Sequence, residues 1–141
     1  MENSLITCET YQRRLRDLCL RSGLEEFPTK RRDQLILLKS IANGFAADQV
    51  YSEQAVNEVI KNWRNGADCF RGWDHVTLRR RLVDESFLDR APDGSSYRVN
   101  PDGPGELAFE PGVEQVVLTA VLAEGQREIE QRKATYLLNH G

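Results

Sequence analysis

From Cys8 onward apolar side chains recur every three or four residues, at Cys8, Tyr11, Leu15, Leu18 and Cys19, while Arg13, Arg14, Arg16 and Arg21 lie mostly off that stripe. The spacing predicts an amphipathic helix, ended by Ser22-Gly23 and separated from the next element by Pro28. The run TKRRDQLILLKSIANGF sets Leu35, Leu38, Ile41 and Ala42 on one face, with Gly44 just past the end, and reads as a second helix. A short extended piece, DQVY, follows. Ser52 then has the character of an N-cap, with Glu53 in the positive first turn and Ala55, Val56, Val59, Ile60 and Trp63 on helical spacing until Arg64-Asn65-Gly66. The loop NGADCFRGW leads to Asp74, a cap for the helix HVTLRRRLVDESF. Pro92-Asp93-Gly94 is a turn signal between FLDRA and SSYRV, so Phe87-Leu88 and Tyr97–Val99 are expected to pair as an antiparallel hairpin.

Residues 28–99 thus run helix, short strand, helix, helix, strand, turn, strand, the order of a winged helix-turn-helix core. The fold class expected is mainly α with a small β-hairpin. An N-terminal amphipathic helix (1–27) precedes this core, a breaker-rich linker containing NPDGPGE (100–112) follows it, and residues 113–141 form a C-terminal helix. That last helix is apolar from Val116 to Ala123 and strongly charged after Glu124, with Gly125 a point of weakness of about 1 kcal/mol relative to alanine. Its apolar positions keep no heptad, so it packs first and projects later. Leu15, Leu18, Val117 and Val121 form apolar stripes that need cover, from each other or from a second copy in a homodimer, and the reading leans to the homodimer.

Composition bounds these readings. At 141 residues, 40% hydrophobic and 29% charged, the chain suits one globular domain with peripheral helices. MENSLITCETYQRR carries no basic leader ahead of an apolar core, and no apolar run approaches the roughly 18 residues of a membrane helix, so a cytoplasmic protein is expected. Three widely spaced cysteines, Cys8, Cys19 and Cys69, fit reduced thiols. A metal site built from Cys69, His75 and a distant Cys8 or Cys19 is the weaker reading, and no metal or cofactor is assigned. The net charge of −3 is unevenly spread: residues 28–99 hold 12 basic and 10 acidic side chains, residues 100–141 only 3 basic and 7 acidic. An acidic total does not exclude a nucleic-acid binder if basic residues gather on one face.

The candidate face is the third core helix. Leu78 and Leu82 define its buried side, which leaves Thr77, Arg80, Arg81 and Asp84 outward and Arg79 at the boundary. With Arg90 and Arg98 on the hairpin, these arginines could contact phosphates or a guanine edge. In the competing account they are a solvated face, Arg80 and Arg81 pairing with Asp84 and Glu85. His75 is read as a structural histidine and Trp63, Trp73, Phe70 and Tyr97 as packing residues. Phosphate-binding loops, nucleophile elbows and zinc-protease motifs are missing from the sequence, and no catalytic residue is assigned.

FPTKRRDQLILLKSIANGF, YSEQAVNEVIKNW and DHVTLRRRLVDESFLDRAPDGSSYRV together resemble a bacterial domain of unknown function that occurs alone and at the C-terminus of ArsR-type and other transcriptional regulators. The resemblance rests on Tyr51, Glu53, Val56, Asn57, Asp74, Leu78-Arg79-Arg80, Leu82-Val83-Asp84, Leu88 and Tyr97, and spans about half the chain. The connection from Arg64 to Trp73 is longer than usual, and both flanking helices are additions. Two functions follow. One is a regulator-like protein binding double-stranded DNA through Thr77, Arg79, Arg80, Arg81, Arg90 and Arg98. The other is a protein-interaction module of the same fold without DNA binding.

Overall fold

In the computed structural model, residues 4–21, 28–67, 73–105 and 107–140 are described. The elements are β1 (Ser4–Ile6), α1 (Cys8–Arg16) with a π-helical extension over Asp17–Arg21, α2 (Arg31–Ala42), α3 (Glu53–Ala67), α4 (His75–Asp84), β2 (Leu88–Arg90), β3 (Tyr97–Val99), β4 (Leu107–Phe109), a 3-10 turn at Val113–Gln115 and α5 (Leu118–His140). The chain is mainly helical, with a small antiparallel hairpin, as the periodicity predicted. No helix among the described residues is long and apolar enough to cross a membrane.

α2 is the centre of the packing. Leu35, Ile36, Leu37 and Leu38 are all fully buried, and Ile41 and Ala42 follow them inside. Four consecutive residues of a helix point in four directions, so α2 must be covered on every side. The single apolar face expected from Leu35, Leu38, Ile41 and Ala42 is therefore too narrow. α3 and α4 pack on α2, and so does α1, which belongs to the N-terminal flank. Arg14 of α1 clamps buried Asp33 in α2 with two parallel bonds, Nε to Oδ1 at 3.2 Å and Nη2 to Oδ2 at 2.9 Å. A carboxylate this buried needs such a partner.

The flanks are more structured than a helix, a linker and a helix. β1 pairs in parallel with β4, Ser4 opposite Leu107 and Ile6 opposite Phe109, so the segment 100–112 expected as a linker contains a strand. α5 starts at Leu118, not Val113, because Val113–Gln115 is a tight 3-10 turn whose Val113 carbonyl accepts a bond from Asn43 Nδ2 at 3.0 Å. Gly125 does not interrupt α5. It is the point where α5 crosses the N-terminal helix: a Cβ there would lie 2.6 Å from Arg16 Cδ and 2.8 Å from Leu20 Cδ1. Leu15 and Leu18 are buried, and α1 packs against α5 within the one chain, whereas Val117 is exposed and Val121 half-buried. The argument for a two-fold partner that rested on these stripes loses its basis at Leu15 and Leu18. Beyond Glu130 every residue of α5 to His140 is exposed, so the helix does project.

α3 runs one residue past its expected stop, through buried Ala67, where Gly66 lies against Thr119 of α5. α4 ends at Asp84, short of Phe87. Its end has two backbone bonds, Ser86 N–H to Val83 O at 3.0 Å and Phe87 N–H to Leu82 O at 2.9 Å, around Ser86 at φ +65°. This left-handed C-terminal cap turns Phe87 into the core, and glycine is the residue it favours. Replacing Ser86 by glycine is expected to stabilise the protein by about 0.5–1 kcal/mol, and replacing it by valine to cost about 1–2 kcal/mol. The midpoint of urea unfolding at unchanged m-value measures both.

Candidate nucleic-acid interface

The surface shared by α3, α4 and the hairpin is organised by backbone pairing first. β2 and β3 pair antiparallel, Leu88 opposite Val99, Asp89 opposite Arg98 and Arg90 opposite Tyr97. The turn is compact: Gly94 sits at φ +75° and donates its N–H to Ala91 O at 2.8 Å, while Asp93 Oδ1 accepts from both the N–H and the hydroxyl of Ser95. On the other edge of β3, Tyr51 and Tyr97 exchange two backbone bonds, each of 2.8 Å. The extended piece before α3 thus joins the hairpin as a third edge of one residue. Immediately after it Ser52 caps α3, its Oγ accepting from Ala55 N–H at 3.1 Å, which places Glu53 on the first turn facing α4.

A polar hollow of about 290 Å³ lies between these elements, lined by Glu53, Arg79, Arg80, Val83, Asp84, Arg90 and Tyr97. Arg79 forms its floor. Its Nη1 donates to Asn57 Oδ1 at 2.7 Å and its Nη2 to Glu53 Oε1 at 2.8 Å, and its side chain is only 13% exposed. These bonds hold α4 to α3. Arg81, expected outward, turns instead toward α2: Nη2 donates to Gln34 Oε1 at 3.1 Å, Nη1 pairs with Glu85 Oε1 at 3.2 Å, and the guanidinium lies 5.9 Å from the centre of the Trp73 ring. Glu85 is itself buried and also pairs with Arg31, so Arg81 completes a cluster inside the molecule. A register of about 100° per residue puts Arg79 and Arg81 on opposite flanks of the Leu78–Leu82 face, and each finds a carboxylate there.

Arg80 differs from both. It is exposed and makes no ion pair with any described residue, so of the two pairings weighed for this helix only Arg81 with Glu85 forms. Arg90 is exposed, its guanidinium lying on Gly94 so closely that a Cβ there would be 2.4 Å from Nη2. Arg98 is exposed across the hairpin from Asp89. Thr77 is exposed as well, but its N–H, at 2.8 Å, and its hydroxyl serve the Asp74 cap. Of the six residues predicted for this face, the structure gathers Arg79, Arg80 and Arg90 at one hollow and leaves Arg98 on the hairpin. Thr77 stays at the start of α4, and Arg81 is withdrawn into the body. Asp84 and Asp89 are exposed on the same elements, so carboxylates interleave with the exposed guanidiniums.

Of the aromatic residues read as packing, Trp63, Trp73 and Tyr97 do pack. Tyr97 is buried, Trp73 stands beside Arg81, and Trp63 donates its Nε1–H to Ser40 Oγ at 2.9 Å. Cys69 and Phe70 lie outside the described residues, and with Cys69 the metal reading built on it.

Residues 23–99 match a family described as an uncharacterized protein conserved in bacteria, DUF2087. The chain belongs to that family. No curated protein and no solved structure matches the chain. Of the positions that carried the sequence resemblance to this family, five form two bonded sets: Tyr51 with Tyr97, which ties the segment before α3 to the hairpin, and Arg79 with Glu53 and Asn57, which ties α4 to α3. Sequence reasoning gave Glu53 a role in the helix dipole only and Asn57 none. An arginine-to-acid spacing across two helices has no periodic signature, so only the resemblance marked them.

Because Arg79 serves α3 and Arg80 serves only solvent, Arg79→Met is expected to lower unfolding free energy by about 1–3 kcal/mol and Arg80→Met to change it by less than about 0.5 kcal/mol. Paired urea titrations decide this. The Asp74 carboxyl is held below its ordinary value of 3.8, first by the Thr77 N–H and next by the Thr77 hydroxyl. A depressed carboxyl contributes stability above its ordinary pKa and loses it as the pH falls through the folded-state value. Asp74→Asn, which keeps a good cap, is expected to flatten the fall in melting temperature below about pH 4 with little change at pH 7.

Proposed function

We propose that residues 28–99 of this chain are a winged helix-turn-helix domain that binds double-stranded DNA, with Arg80, Arg90 and Arg98 contacting phosphates and the exposed turn of α4 at Thr77 approaching the groove. The observation that supports this reading best is the pair of reciprocal bonds between Tyr51 and Tyr97. They tie the segment before α3 to β3, beside α4, so that the order helix, one-residue bridge, helix, helix, strand, strand follows that of a winged helix with its first strand reduced to a single bridge. The occurrence of the domain that the sequence resembles at the C-terminus of transcriptional regulators, as well as alone, points the same way. Arg79 and Arg81 act here as internal struts that fix α4, not as contacts.

Three exposed guanidiniums interleaved with Asp84 and Asp89 make a modest phosphate-binding face. The alternation of charge also suits a protein partner, and a protein-interaction module of the same fold is the second reading. The two separate in a salt titration of a fluorescent random duplex between about 25 and 200 mM KCl. With two to three phosphate contacts per chain the log–log slope is expected near 2–3. Arg80→Ala lowers it by about 0.9 and Arg80→Ala with Arg90→Ala by about 1.8, while Arg81→Ala costs stability but leaves the slope unchanged. If duplex binding is undetectable at the lowest salt, or its slope ignores Arg80, the DNA reading is abandoned for the interaction module.

A further inference from the structure

On the side of α2 away from the hollow at α4, a cleft of about 600 Å³ opens between α2, the 100–105 loop and β4. Its walls include Phe45, Phe87 and Phe109, and its one ammonium is Lys39. Lys39 Nζ lies 5.6 Å from the centre of the Phe109 ring. No carboxylate of the described residues comes within 4.0 Å of it, and none of them forms a hydrogen bond with it. Among the described residues two acids line the cleft, Asp102 and Glu114. Glu114 is near enough to favour the charged lysine, but its Oε1 accepts the Gly112 N–H at 3.1 Å. Burial lowers the Lys39 pKa, with Glu114 opposing the shift. A half-buried ammonium against aromatic walls, paid with neither an ion pair nor a hydrogen bond, is a charge awaiting a counter-ion.

We infer that this cleft binds a small amphipathic monocarboxylate, its head on Lys39 and its apolar body against Phe45, Phe87 and Phe109. The volume lies within the range of small-molecule sites, and the lining mixes the phenylalanines, of which Phe109 is the most exposed, with the polar side chains of Asn43 and Asn100. Asp102 and Glu114 already oppose the one ammonium, so a single anionic charge held directly on Lys39 is the most this lining can accept, and a doubly charged phosphate is disfavoured. The site does not depend on the DNA reading. It is built by the loop and strand that follow the family region together with α2, and its test needs no nucleic acid.

The test is amide-resolved NMR titration of the full chain with 3-phenylpropionate and, separately, with its neutral amide, 3-phenylpropionamide. The carboxylate is expected to give saturable shifts at Phe45, Phe87 and Asn100 and to bind at least about tenfold more tightly than the amide. Lys39→Met, which keeps the apolar stem and removes the charge, is expected to abolish that preference, and Lys39→Arg to preserve it. Lys39→Gln serves the same comparison if the methionine variant does not fold. The inference is overturned by equal binding of acid and amide, by a preference that survives loss of the charge, or by the lack of saturable shifts at the cleft.

Discussion

The burial of α2 on every side governs the architecture. Leu35 to Leu38 have no solvent-facing member, each contributing about 2 kcal/mol only if something covers it. α3 and α4 cover one side. The other is closed by α1, which sits outside the matched family region, and the Arg14–Asp33 pair fixes α1 there. In this chain the flanks are therefore part of the core. α5 follows from the same requirement one layer out, since buried Leu15 and Leu18 of the N-terminal segment need a cover of their own, and Gly125 permits the close crossing that supplies it.

The three arginines of α4 illustrate how helical geometry sorts one charge type into different tasks. Arg79 meets Glu53 and Asn57, Arg81 meets Gln34 and Glu85, and Arg80, a rotation of about 100° from each, pairs with none of the described residues. A row that looks like a basic patch in sequence is a structural brace with one free cation at its centre. Any phosphate-binding capacity then depends on the hairpin, where Arg90 and Arg98 lie, and on Tyr51–Tyr97 pairing to hold that hairpin beside α4. Asp84 and Asp89 reduce the field this small set can raise.

Much of the fold was legible in the sequence, because its signals are local. Periodicity located α1 to α5, Ser52 and Asp74 read correctly as caps, and Pro92-Asp93-Gly94 gave the hairpin. What escaped is non-local. β1 and β4 are three residues each and pair across a hundred positions, too short for an alternation to register. The end of α4 was misplaced because Ser86 takes a conformation that sequence assigns to glycine. At the interface, the outward face was right for Thr77 and Arg80 and wrong for Arg81, which the register of about 100° per residue sets on the flank opposite Arg79, where it meets Glu85, a pairing legible in the sequence, and Gln34 of α2, which was not.

The flanks also create a recess that the family region lacks by itself. The 100–105 loop and β4 stand off α2 over Lys39, and the opposite wall is made by Phe87 and Val99, the residue before β2 and the last residue of β3. Asn100 joins the two, its N–H bonded to Phe87 O at 3.0 Å and its Nδ2 to Ser86 O at 2.9 Å. The base of the hairpin is thus one wall of the cleft, while Arg98 lies mid-strand and Arg90, next to the turn, faces the hollow at α4. Whatever fills the cleft presses on the same two strands that present the guanidiniums. A ligand that bound equally well with the hairpin in any position would leave the far face unaltered, so communication between the two requires contacts with Phe87 and Val99 that differ as the hairpin moves.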